Sequence, residues 1–537
     1  NTTTNGDIDA CSIVVNTGFT ATITSGRYFN IQNDVTVNGT LNVLNNGSLV
    51  QINDLGINTG NISYERIASV KLQDYVYWSS PVSGFDVNSI SPLTPAYYHW
   101  LWNPTVANPN GGQGNWQNAS SLMTAGQGFI VRAPNGFSNA VNQNWVANFN
   151  NGVPNNGIYT PAISRGSDIG AGSAGPNGVM RLATDDNWNL LGNPYPSAIS
   201  INSFLLANPQ LDGFVRLWTH GTLPSSATAD PFYNNFVSNY TAADYVAING
   251  SGATSGAGTL SVVGGGQGFF VLMNPGAATS TTALFNNAMR DKNYSNGQFY
   301  RMSSEDKNTT IAPSERHGIW LDLVSSTNET TRTLVAYVTG ATTARDRMFD
   351  AITDYKSGQN FYSILNNDIF AIQGRSVPFD VNDKVDMGIK ISTAGTYTIA
   401  IGEVDGLFTQ GQDIYLEDKL LNIIHDLRAN PYSFTTIAGQ INDRFVLRYT
   451  NTTLGNDDFE NFDETVYVIS NDMIEVISTN EIIQKVEIFD VLGRRIVAEQ
   501  NIDSNNIKFN SILKTNSTLI IYITLENGKK IVKKTIY

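Results

Sequence analysis

A single cysteine, Cys11, excludes an intramolecular disulfide and any cysteine zinc centre. Beside Ser12-Ile13-Val14-Val15 it reads as a small buried hydrophobe. Charge is scarce: Asp, Glu, Lys and Arg make up 15% of the chain, where soluble proteins average about 25%. The polar surface must then be built from Asn, Thr, Ser, Gly and Gln, which suit turns and strand faces and suit helices poorly. No apolar run approaches the roughly 18 residues of a membrane-spanning helix. The alternating strands of about ten residues that an outer-membrane barrel repeats are also missing. Positive charge is in deficit, giving a net charge of −14, so phosphate backbones are repelled and nucleic-acid partners are disfavoured. The four histidines, His99, His220, His317 and His425, are far apart and form no local zinc motif. No cofactor is expected. The chain opens Asn1-Thr2-Thr3, without Met or a signal-peptide pattern, and reads as a mature form or a fragment.

What is present favours strands. Hydrophobic residues are 41% and aromatics 10% of 537 residues, enough for several packed cores, so an all-β, multidomain chain is expected. Over residues 1–60, short runs such as Ile13-Val14-Val15, Val35-Thr36-Val37 and Leu41-Asn42-Val43 alternate with Asn38-Gly39 and Asn46-Gly47 corners. Such runs suggest rungs of a parallel β-solenoid, or else a strand-rich edge of the following domain. Residues 61–180 and 181–296 read as two copies of one β module. Tyr77-Trp78-Ser79-Ser80-Pro81 matches Leu190-Leu191-Gly192-Asn193-Pro194, and Trp100-Leu101-Trp102 matches Arg216-Leu217-Trp218. Gly126-Gln127-Gly128-Phe129 matches Gly266-Gln267-Gly268-Phe269, and Phe149-Asn150-Asn151 matches Phe285-Asn286-Asn287. Gly-Gln-Gly before an apolar run is a tight turn feeding a buried strand; a phosphate loop would feed a helix and carry Lys or Thr. Residues 297–450 alternate over six or seven residues, as in a β-sandwich, with one short helix expected over Arg345–Tyr355. Residues 451–464 crowd Asp457, Asp458, Glu460, Asp463 and Glu464 into a solvated linker. Residues 465–537 return to strands. From Arg494 to Tyr537 there are eight basic and three acidic residues, +5, so the remainder carries −19.

Candidate chemistry is sparse. Thr254-Ser255-Gly256-Ala257-Gly258 is glycine-rich turn sequence without the strand-to-helix setting of a nucleophile elbow. Asp380, Asp383 and Asp386, at spacing three, offer oxygens for calcium in a loop, or form a solvated turn leading into a strand. Trp100, Trp102 and Trp218 offer flat faces for a sugar ring, or fill a core. No catalytic constellation assembles, and a non-enzymatic protein is expected.

The C-terminal region adds a resemblance. Lys485-Val486-Glu487-Ile488-Phe489-Asp490-Val491-Leu492-Gly493-Arg494-Arg495 resembles the hallmark segment of type A C-terminal sorting domains, carried by cargo of the type IX secretion system of Bacteroidota. Glu526-Asn527-Gly528-Lys529-Lys530-Ile531-Val532-Lys533-Lys534-Thr535-Ile536 is similar to that family's final hairpin and basic end. The family's Leu-x-x-Gly-x-Tyr segment appears here without its glycine, as Leu513 to Thr518 before Ile520-Ile521-Tyr522. Residues 361–450 also look like a module of large surface proteins of these bacteria, through landmarks such as Ile372-Gln373-Gly374-Arg375 and Ile414-Tyr415-Leu416-Glu417-Asp418. The sorting-domain resemblance implies a small C-terminal β-sandwich, with Val486, Leu492, Gly493, Gly528, Lys533 and Lys534 as signal residues. It implies passage through the periplasm and outer membrane to the cell surface. Its partners would be the translocon, an outer-membrane shuttle barrel, a sortase-like peptidase and a surface glycolipid or glycan. A structural or adhesin-like surface protein is the expectation. The alternatives are the carbohydrate-binding part of a polysaccharide-handling protein and the non-catalytic portion of a larger secreted hydrolase.

Overall fold

The computed structural model describes residues 6–107, 113–119, 121–166, 173–174, 180–181, 187–219, 245–256, 261–297, 315–353, 358–451, 466–471, 473–479 and 481–537. The chain is all-β and divides into two compact units, residues 1–451 and 452–537. The acidic stretch from Asp457 to Glu464 lies outside the described residues.

The first unit opens with a three-sided parallel solenoid. Strands β1 (Ile8–Ala10), β2 (Ile13–Val15) and β3 (Thr20–Ile23) form one rung. Strands β4 (Tyr28–Ile31), β5 (Val35–Val37) and β6 (Thr40–Val43) form the next, and β7 (Ser48–Gln51), β8 (Asn58–Thr59) and β9 (Ile62–Val70) the third. Each strand pairs in parallel with the one beneath it, so the three faces are β1-β4-β7, β2-β5-β8 and β3-β6-β9. Inward positions are apolar: Phe29, Ile31, Val35, Leu41, Val43 and Leu49 are buried, each contributing about 1.5–3 kcal/mol of apolar transfer. Two corners need glycine because the preceding rung's carbonyl lies under them. A Cβ on Gly39 would stand 2.3 Å from the Asn16 carbonyl oxygen, and one on Gly60 1.8 Å from that of Val37. Cys11 sits at the β1–β2 corner and is exposed, so the buried-hydrophobe expectation is corrected: the lone thiol is off the inward-facing strand positions.

Strand β9 belongs to two structures at once. It closes the solenoid face on β6 and pairs antiparallel with β14 (Gln143–Gly152), so the stack passes directly into the first β module.

The duplication extends to hydrogen-bond register. In the first copy β10 (Tyr75–Trp78), β11 (His99–Ala107), β12 (Gln113–Asn118) and β13 (Phe129–Arg132) lie in the order β10-β13-β11-β12. In the second copy Trp188–Gly192, Gly268–Met273, Leu211–Trp218 and Tyr245–Asn249 follow the same order. Tyr77 pairs with Ile130 as Leu190 does with Phe270, and Trp100 pairs with Ile130 as Arg216 does with Phe270. Both copies also place a capped helical turn after their first strand. Asp86 accepts from the Asn88 N–H before the 3-10 turn Val87–Ile90, and Ser200 from the Ser203 N–H before helix Ile201–Ala207. The fourth sequence landmark departs: Phe149 lies in the ten-residue strand β14, while Phe285 makes only an isolated bridge with Tyr159.

Eleven strands between Arg316 and Arg448 join one sheet that nearly closes on itself around a single core. The two ends of its path, Ile423–Asp426 and Tyr432–Thr436, are consecutive in the chain. The helix expected over Arg345–Tyr355 is not formed in its described part. Turns there run into the short strand Ala351–Ile352, which pairs with Asp368–Arg375.

The second unit is a β-sandwich. A three-stranded sheet, Val466–Ser470, Ile474–Ser478 and Asn506–Phe509, accompanies a four-stranded sheet. The latter runs Arg495–Ser504, Ile483–Asp490, Thr518–Leu525, Lys530–Ile536 in spatial order. Val476, Val486, Ile488, Ile521 and Ile523 fill the core.

Candidate functional site

The signal residues of the C-terminal resemblance take separable roles. Val486 is fully buried mid-strand and holds the core. The strand ends at Asp490, whose carboxylate organises the following turn. It accepts from the Leu492 N–H at 2.9 Å, the Arg494 N–H at 2.9 Å and Arg494 Nε at 2.6 Å. The Arg494 backbone N–H, with that side chain, holds the Asp490 carboxyl below the usual range. Gly493 adopts φ +78°, which favours glycine. The turn therefore projects Val491, 63% exposed, and Leu492, 76% exposed, as an apolar tip. Gly528, at φ +83°, makes the second hairpin turn, where its N–H donates to the Leu525 carbonyl at 3.0 Å.

The register separates the two tips. Asp490 lies opposite Leu519, and Ile483 opposite Leu525, so the Leu492 tip and the Gly528 tip occupy opposite ends of the sheet. The chain's last strand then runs back: Ile536 pairs with Thr518, and the Tyr537 N–H donates to the Ser517 carbonyl at 3.1 Å. The hallmark hairpin and the C-terminus thus meet at one end, which their spacing in sequence does not reveal. Beside that end runs a cross-strand row, Arg495, Phe489, Ile520 and Lys534, apolar in the middle and cationic at both ends. In the next row Tyr522 and Val532 are exposed, and Tyr522 meets the Phe489 ring edge-on at 5.4 Å. Lys534 is exposed and Lys533 half-buried.

The other candidates are corrected. Trp102 and Trp218 are buried at 5% and 3% exposure and Trp100 is half-buried, so the three form no glycan platform. Trp102 and Trp218 fill the contact between the two module copies, while Trp100 bonds the Tyr75 side chain within its own copy. Trp102 Nε1 donates to the Trp188 carbonyl at 2.8 Å, and Trp218 stacks on Tyr77 at 5.7 Å. Asp380, Asp383 and Asp386 do not converge. Asp383 is bound by Arg375 and by the Tyr337 hydroxyl at 2.8 Å, Asp386 pairs with Lys419 at 3.3 Å, and Asp380 accepts from the Asn382 N–H at 2.8 Å. Among the described residues no three His, Cys, Asp or Glu side chains are placed to hold a metal ion. His99 is held by Asn88 at 3.0 Å and kept neutral-leaning by burial; His317 and His425 lie elsewhere, and His220 falls outside the described residues.

A family model described as Domain of unknown function (DUF8693) matches residues 1–449. The chain belongs to that family. A second model, Domain of unknown function (DUF8694), matches residues 454–537. The DUF8693 match ends two residues before the end of the first compact unit, and the DUF8694 match begins just inside the second. No curated protein matches the chain.

Proposed function

We propose that this chain is a structural or adhesin-like cell-surface protein exported by a type IX secretion system, with residues 465–537 as its address. One observation carries the reading. The segment resembling the sorting hallmark forms an exposed hairpin tip beside the C-terminus of a separate small sandwich. A receptor can grip that end without unfolding the cargo. The solenoid, paired modules and nearly closed sheet are cargo built for shape. The shuttle barrel, the sortase-like peptidase and the surface glycolipid stay as proposed partners.

Fusing residues 452–537 to a folded reporter, in a host with this secretion system, tests it. The reporter should reach the cell surface, and the full chain lacking those residues should accumulate in the periplasm. A truncated chain that reaches the surface normally overturns the proposal.

A further inference from the structure

A cavity of about 280 Å³ opens at the side of the solenoid, near the lower end of the range for small-molecule sites. One wall is made by two stacked solenoid corners, carrying Arg27 with Tyr28, and Asn46. The other is the loop that ends the second module, carrying Lys292, Asn293 and Tyr294. The loop is held in place. Buried Asn296 donates to the Gly47 carbonyl at 2.6 Å and to the Tyr64 hydroxyl at 3.0 Å, and accepts from the Gly265 N–H at 2.7 Å. Lys292 bonds Asp9 at 2.9 Å and stands 5.5 Å from the Tyr28 ring centre. The cavity is therefore preformed.

Its lining is unusual for a chain of net charge −14. It carries two cations, two tyrosines, amides, hydroxyls and glycines, and no carboxylate. Asp7 and Asp9 pair with Arg27 and Lys292 from outside the lining. A bare oxyanion would use the cations and leave the tyrosines and amides idle. A neutral sugar would use the amides and tyrosines and leave idle the donors of Arg27 and Lys292 beyond the single aspartate contact each makes. We propose that this cavity binds one acidic sugar residue, a hexuronate, of an anionic polysaccharide. Arg27 and Lys292 receive the carboxylate, Tyr28 and Tyr294 pack on the ring, and Asn46 and Asn293 take its hydroxyls. This goes beyond the export reading and does not depend on it.

Calorimetric titration of the full chain with tri-galacturonate, maltotriose and inorganic phosphate tests the assignment. Tri-galacturonate should bind saturably, and more weakly as salt rises, because the carboxylate contacts lie in an open cleft. Maltotriose and phosphate should bind at least about tenfold more weakly. Arg27→Gln and Tyr294→Ala, with unchanged melting temperatures, should each weaken tri-galacturonate about fivefold or more. No saturable binding overturns the proposal, as does equal affinity for maltotriose or phosphate, or full affinity in Arg27→Gln. The ligand panel and the salt series use the unaltered chain, so they decide the question even if a variant misfolds.

Discussion

Trp78 and Gln267 face each other as an isolated antiparallel bridge, and their counterparts Leu191 and Gln127 do the same with the copies exchanged. The exchange is repeated in the hydrogen bonds. The Ser79 N–H donates to the Gly266 carbonyl at 2.8 Å, and the equivalent Gly192 N–H to the Gly126 carbonyl at 3.0 Å. Each Gly-Gln-Gly corner is thus completed by the first strand of the other copy, in the manner of a two-fold contact.

This seam leaves no room for a side chain at Gly128. A Cβ on Gly128 would lie 2.5 Å from Leu190 Cγ and 2.6 Å from the Leu191 oxygen. Gly128→Ala should lower the stability of the first unit by about 1–3 kcal/mol through overpacking. Scanning calorimetry of the full chain should show that unit's transition shifted down and the transition of residues 452–537 unmoved. An unshifted first transition would show that the seam is soft.

Burial pushes the Asp350 carboxyl up to about 6, against the lowering effect of the Asp346 and Gly374 N–H groups it accepts from. A raised carboxyl value means the folded state holds the proton more tightly. The resulting penalty is absent below the unfolded value of 3.8, grows between 3.8 and about 6, and is complete above that. Its full size is about 3 kcal/mol. The stability of the wild type relative to Asp350→Asn should therefore fall as pH rises from about 4 to about 7. Denaturant unfolding of both proteins across that range checks it, and a difference independent of pH would refute it.

The hallmark hairpin depends on Asp490 and Gly493. Gly493→Val places a β-branched residue at φ +78° and should cost the second unit about 1–2 kcal/mol. Asp490→Ala removes the acceptor for the Leu492 and Arg494 N–H groups, so those two amides should exchange faster while buried Val486 keeps its protection. Hydrogen exchange on the isolated unit reads both. Unchanged exchange at Leu492 and Arg494 would show that the turn holds without its carboxylate.

Repetition made the modules legible in sequence: three landmarks recur in order, and their strands pair in the same register. The facing of the copies was not legible, because neither copy alone shows what covers Trp102 or Trp218. The same gap concealed the partner of Asp383, since Arg375 reaches it only once the intervening turn has formed. Helix Ile201–Ala207 escaped notice because Phe204-Leu205-Leu206 reads equally as a strand, although Ser200 supplies a cap signal. In the second unit the strands and hairpin glycines were readable. The meeting of the Leu492 tip with Tyr537 was not, because it follows from register over the whole four-stranded sheet.

The solenoid separates height from cross-section. Successive rungs rise by about 4.8 Å, the hydrogen-bonding distance between strands, while the inward residues repeat in kind. Inserting or removing one rung would change the span between the two ends of the stack by that step and leave every other layer's neighbours alike. A lineage could tune how far this end of the molecule stands from the modules without redesigning either.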